Sequence, residues 1–267
     1  MIGVTTHVLA ARTVRHTVSD MSAPAIRIVA HRGDSAHAPE NTLPALAAAV
    51  RAKADAVEFD VRLSRDGIPV VGHDANLMRF GGSRKAVAQQ TAKELAAADV
   101  GTWLHRRFAG VGLPSLDQWL QTAPKKIKLC LELKPTRSDC ECLVRTTVRM
   151  LQRHRAIERT ALLCFQANPL RLAHRLEPRL RLVRNVEPVP RHITRWLRGQ
   201  PPLIAVDADI NRLTPAQADR LRESGVEVWC WTCTTSAHVR QAVACGCTAI
   251  IANDPTWARR LVAKAYA

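Results

Sequence analysis

Eight short apolar runs recur along this chain, at residues 26–30, 56–62, 127–133, 161–165, 180–184, 203–206, 226–232 and 248–252. Helix-type segments fall between them, at 43–53, 139–154, 169–176, 191–198, 215–224 and 235–244. Strand–helix alternation of this kind builds a parallel sheet with helices as crossovers. It predicts an α/β protein, a (β/α)8 TIM barrel over residues 26–267; that architecture typically fills about 250 residues. A doubly wound open sheet fits less well. It often carries a Gly-rich phosphate loop after its first strand, whereas the first run here ends in His31-Arg32-Gly33. A further β run at 68–72 follows Asp66-Gly67, a dipeptide that turns a strand back on its neighbour. The second barrel strand is therefore expected to carry an antiparallel arm, opening a small insertion with short helices near 91–98 and 115–121. Thr42 and Ser115 are suited to N-cap helices, and Pro44 falls within a first turn.

The chain has 267 residues, 47% of them hydrophobic, enough to bury a sizeable core. No run reaches the roughly 18 apolar residues of a membrane span. Lys and Arg number 39 against 23 Asp and Glu, a formal net charge of +16. Such an excess attracts phosphate esters, nucleic acid and anionic lipid alike. No contiguous basic block of five or more occurs, so it reads as a solvated surface, with no specific nucleic-acid partner expected. The eight cysteines lie among apolar segments, where free Cys packs as a small hydrophobe. Disulfide frameworks belong to much shorter secreted chains, so a cytoplasmic setting is expected. Cys230 and Cys233 form a CxxC inside a strand-type run. Residues three apart on a strand face opposite sides, so this pair is expected neither to chelate a metal nor to form a disulfide. Residues 1–25 lack the apolar centre of a secretory signal. They are expected to be a poorly ordered extension, with Met21 as an alternative start.

In a (β/α)8 barrel, active sites sit at the C-terminal ends of the strands. The first strand ends at His31-Arg32-Gly33, the second carries Glu58 and Asp60, and the arm ends at His73-Asp74. The third parallel strand carries Glu132 and Lys134, and the seventh carries Trp231. Carboxylates two apart on a strand share a face. Three converging on one barrel mouth repel each other unless a cation joins them, and all-oxygen ligation suits Mg²⁺, Ca²⁺ or Mn²⁺. Arg32 and Lys134 suit a phosphate. His31 and His73 are the candidates for general acid and base. Together these groups describe phosphodiester cleavage. The competing reading makes Glu58 and Asp60 a structural ion network with Arg32 and Lys134. Glu40 and Asn41 read as residues that order the loop after the first strand or touch the metal, the first being preferred. Trp231 reads either as a pocket wall, able to meet a choline headgroup, or as core packing. The remaining histidines read as surface or local structure.

The motifs AHRG, PENT, VEFDV, DGIPVVGHD and LELK, in this order, resemble those of the glycerophosphodiester phosphodiesterases. Softer marks are DVGTWL at 99–104, GLPSLDQWL at 112–120 and the closing Ile251-Ala252-Asn253-Asp254-Pro255. The resemblance runs from about Ile28 to Pro255. It implies the same barrel with its insertion, and hydrolysis of deacylated phospholipids such as glycerophosphocholine or glycerophosphoethanolamine to glycerol 3-phosphate and an alcohol. It implies His31 and His73 as the catalytic pair, Glu58, Asp60 and Glu132 as metal carboxylates, and Arg32 and Lys134 as phosphate-binding cations. The short insertion looks like that of the cytosolic bacterial branch. Departures fall on the rim: Cys164-Phe165 in place of Ser-Phe, Asn253-Asp254-Pro255 in place of Thr-Asp-Pro, and Arg79-Phe80-Gly81 in place of Arg-Thr-Thr. The insertion's apolar residues, among them Leu77, Met78, Phe80 and Phe108, read as scattered; an exposed apolar rim there favours a lysophospholipase D-like activity. A non-catalytic binder of anionic polymers leaves the carboxylate set unexplained.

Overall fold

The computed structural model describes residues 26–265, and the expectations for residues 1–25 lie outside them. The strands are β1 (Arg27–Ala30), β2 (Ala56–Leu63), β3 (Pro69–Val71), β4 (Lys128–Leu133), β5 (Thr160–Cys164), β6 (Arg181–Val186), β7 (Ala205–Asp209), β8 (Glu227–Trp231) and β9 (Ala249–Ala252). All except β3 are parallel, and β1 pairs with both β9 and β2, which closes the ring. The arm β3 lies antiparallel on β2, with Val61 opposite Val71. The helices are α1 (Leu43–Arg51), α2 (Ala92–Ala97), α3 (Leu116–Thr122), α4 (Cys140–Arg153), α5 (Ala167–Leu176), α6 (Ile193–Arg198), α7 (Pro215–Glu223), α8 (Ser236–Ala244) and α9 (Pro255–Ala265). This is the expected TIM barrel with an insertion after its second strand. Helix α9 was not foreseen, although Pro255 opens it and Asp254 accepts the Trp257 N–H at 2.8 Å. No helix among the described residues is long and apolar enough to cross a membrane.

Period-two alternation sorts each strand into an outer and an inner face. On β2 and β4 the outer residues Val57, Phe59, Val61, Leu129, Leu131 and Leu133 join Trp119 and Leu143 in one apolar core. Phe59 and Trp119 lie 4.7 Å apart, ring centre to ring centre. Trp119→Ala is expected to cost about 3–5 kcal/mol by opening a cavity. A urea midpoint equal to wild type would contradict this packing. The inner residues Val29, Ala56, Cys130, Ala161, Leu163, Val183, Ala205, Trp229, Ala249 and Ile251 fill the barrel's centre. Polar inner residues are thereby displaced toward the C-terminal mouth.

Two expectations need correction. The insertion's apolar residues are not scattered: Val70, Leu77, Val87, Leu95, Val100 and Leu113 form a small core, with Phe80 packed against it. Beyond that core, Met78 and Trp103 stand 50% and 46% exposed. The CxxC cysteines are not held apart either. Strand β8 ends at Trp231, so alternation no longer governs Cys233. Its N–H bonds the carbonyl of Ile251, and its Sγ lies 3.7 Å from that of Cys230. All eight cysteines are free thiols.

Candidate active site

The loop after β1 is set by close backbone approach. Arg32 and Gly33 both take positive φ, 55° and 84°. A Cβ on Gly33 would lie 2.6 Å from the Cβ of Ala45 and 2.7 Å from its carbonyl carbon, inside α1. Only glycine fits there. Gly33→Ala is expected to destabilise the fold by about 1–3 kcal/mol through overpacking and to lower activity by displacing His31 and Arg32. Unchanged stability and turnover would contradict that.

Glu58, Asp60 and Glu132 come together as expected, each offering an oxygen within 4.8 Å of the others, all buried. Arg32 donates its backbone N–H to Glu58 at 2.8 Å and holds its Nε 3.3 Å from Asp60. Lys134 Nζ lies 3.3 Å from Asp60 and 2.5 Å from Glu132. Asn41 clamps Asp60 twice: Nδ2 donates to its carboxylate, and Oδ1 accepts its backbone N–H. Burial pushes Asp60 up, but Lys134 and Arg32 outweigh it and hold the carboxyl at about 2. Burial, then Asp60, pushes Glu132 up to about 7. Burial and the Asp60 and Glu132 charges push Glu58 well above the usual carboxylate range. At Glu58 and Glu132 burial and mutual repulsion thus outweigh the neighbouring cations. Three hard oxygen donors gathered at one point fit a divalent cation.

Both histidines are anchored through Nδ1. His31 donates to Asn253 Oδ1 at 2.6 Å and His73 to Asp74 Oδ1 at 2.7 Å. Each anchor orients the ring and leaves Nε2 for a ligand. Burial and the neighbouring Arg32 lower His31 to about 4. Burial also lowers His73. Both shifts favour the uncharged ring. A chain of ion pairs ties their loops together. Arg79 bonds Asp74 at 2.7 Å and grips Glu40 through two nitrogens, and Glu40 accepts from Arg32 at 2.8 Å. Glu40 and Asn41 are thus tied by hydrogen bonds to Arg32, Arg79 and Asp60. Of the other histidines, His37 pairs with Asp34 and His154 with Asp117.

A cavity of about 270 Å³ at the mouth is lined by His31, Arg32, Glu58, His73, Glu132, Lys134 and Trp231, among others. Every expected site residue therefore lines this cavity except Asp60, which contacts the lining residues Arg32 and Lys134. Trp231 meets Phe165 edge-on at 5.5 Å and donates its indole N–H to the Asp207 carbonyl. The wall also includes Asn185 and Asp207, which the sequence reading passed over. Strict alternation in AVDAD put Asp207 on the inner face and was the available signal. A larger groove of about 840 Å³, lined by Arg191, Arg195, Arg198 and Arg220, contains none of these groups.

The model of the glycerophosphoryl diester phosphodiesterase family matches residues 31–256. A glycerophosphodiester phosphodiesterase of Caldanaerobacter subterraneus is 26% identical over 243 residues, 89% of this chain and 98% of that protein. YhdW of Bacillus subtilis is 42% identical over 107 residues, 40% of this chain and 44% of that relative. A phosphodiesterase from Oleispira antarctica, solved with its product sn-glycerol-3-phosphate, superposes with a TM-score of 0.84 at 25% identity, covering 89% of this chain and 96% of the other. Fold and sequence agree, and the chain belongs to the glycerophosphoryl diester phosphodiesterase family.

Proposed function

We propose that this chain is a metal-dependent phosphodiesterase hydrolysing glycerophosphodiesters, such as glycerophosphocholine or glycerophosphoethanolamine, to glycerol 3-phosphate and an alcohol. The observation that carries this is a single cavity combining two Nδ1-anchored histidines, two cations and a buried carboxylate triad. A Mg²⁺, Ca²⁺ or Mn²⁺ held by Glu58, Asp60 and Glu132 would neutralise them and polarise a phosphoryl oxygen. Arg32 and Lys134 bind the phosphate and stabilise charge on its oxygens. One of the two histidines, His31 or His73, takes the proton from the nucleophile, either water or the glycerol 2-hydroxyl, and the other, in its protonated form, gives one to the leaving alcohol. Trp231 forms part of the cavity wall and offers an aromatic face to the substrate.

The test is release of glycerol 3-phosphate from both diesters, run with EDTA and with each metal. Release with at least one metal and none with EDTA is expected. Folded protein inactive with every metal, or unaffected by EDTA, would overturn the reading. A lysophospholipase D-like reading is favoured by the exposed Met78 and Trp103 on the insertion. Choline release from lysophosphatidylcholine that exceeds release from glycerophosphocholine, and that falls in Met78→Ser, would establish it instead.

A further inference from the structure

The cavity has a second polar wall, on strands β6 and β7. Asn185 on β6 and Asp207 on β7 are register partners, so their side chains stand side by side on the barrel's inner face. They are 3% and 1% exposed, and both line the cavity. Asn185 Oδ1 and Asp207 Oδ1 have no hydrogen-bond partner in the protein. Two residues earlier on the same strands, Val183 and Ala205 belong to the apolar centre. Polar groups at 185 and 207 therefore interrupt an apolar interior. A buried oxygen left unpaired is costly, and two on adjacent strands facing one cavity are satisfied together by a ligand that donates hydrogen bonds.

We propose that Asn185 and Asp207 form the subsite for the glycerol hydroxyls of the diester, an inference that rests on the proposed function. The alternative donor is a headgroup ammonium. Arg32 and Lys134 already place two cations in the same cavity, which disfavours a third. Burial raises the Asp207 carboxyl well above the usual range, and an uncharged acceptor suits a neutral hydroxyl. The Trp231 indole N–H, bound to the Asp207 carbonyl at 3.2 Å, fixes the aromatic wall against the same strand.

The test compares glycerol 3-phosphate with propyl phosphate, which has the same three-carbon skeleton without the hydroxyls. Both are titrated calorimetrically into the full chain with Mg²⁺ present. Wild type is expected to bind glycerol 3-phosphate at least about tenfold more tightly, the worth of one to two hydrogen bonds. Asn185→Leu and Asp207→Leu should bring the ratio toward one, while Asp207→Asn, which keeps an acceptor oxygen, should retain it. Asn185→Ala and Asp207→Ala serve where a leucine variant fails to fold. A wild-type ratio near one, no binding of glycerol 3-phosphate, or a ratio unchanged in both folded variants would overturn the subsite. An ammonium site would instead appear as a preference for glycerophosphoethanolamine over glycerophosphocholine that Asp207→Asn abolishes, with the monoester ratio unaffected. Wild type that shows the ratio but hydrolyses no glycerophosphodiester would sink the proposed function alone. Hydrolysis with the ratio intact in both variants would sink the subsite alone.

Discussion

His31→Ala and His73→Ala are each expected to lower kcat by about 10²–10⁴-fold, the usual contribution of a positioned acid or base, while leaving the fold intact. Both rings face the cavity and stand outside the apolar cores, so their removal opens no dry void. Their anchors tolerate the change: Asp74 keeps Arg79 as a partner, and Asn253 is not fully buried. The two effects should not add. Once one proton transfer is lost, the other histidine has little left to assist, so the double variant should fall little below the worse single one. Comparison of kcat with far-ultraviolet circular dichroism and a thermal melt checks this. Near-normal turnover in both folded variants would remove the histidines from the mechanism.

Divalent metal is expected to stabilise the protein, and Glu58→Gln to raise metal-free stability while removing most of that response. Metal at about 100 times its Kd adds about 2.7 kcal/mol, a rise of several degrees in Tm for a chain of this size. In metal-free protein, Glu58 and Glu132 are raised and so bind more protons folded than unfolded. That contribution is present below the unfolded value near 4.5 and is lost as pH rises through about 7 for Glu132. The metal-induced rise in Tm should therefore be larger at pH 8 than at pH 5.5. Glu58→Gln removes a repelling charge, so metal-free protein should gain stability while most of the metal response disappears. A purely structural ion network predicts the reverse, namely a less stable Glu58→Gln and no metal response. Thermal melts of both proteins, with and without metal at the two pH values, separate the accounts.

The barrel was legible because parallel strands impose a strict alternation, and VEFDV and LELK show it residue by residue. Outer Val57 and Phe59 pack under helices while inner Glu58 and Asp60 face the mouth. The triad followed from that geometry and a count of charge. Elements that depend on chain reversal or on contacts distant in sequence were less legible. Cys233 reaches Cys230 because the strand stops between them. The insertion's core gathers residues from Val70 to Leu113, which no local period connects. Asn253 gave no sign that it would orient His31, since 222 residues separate them. Asp207 was readable by alternation, but its meaning depends on Asn185 across the strand pair.

The central claim is tested most directly by ³¹P NMR of glycerophosphocholine incubated with the full chain. With an activating divalent metal, the diester resonance should give way to that of glycerol 3-phosphate. No conversion should occur with EDTA, or in Glu132→Ala with metal restored. Conversion in EDTA equal to that with metal, or a phosphocholine product in place of glycerol 3-phosphate, would contradict the account.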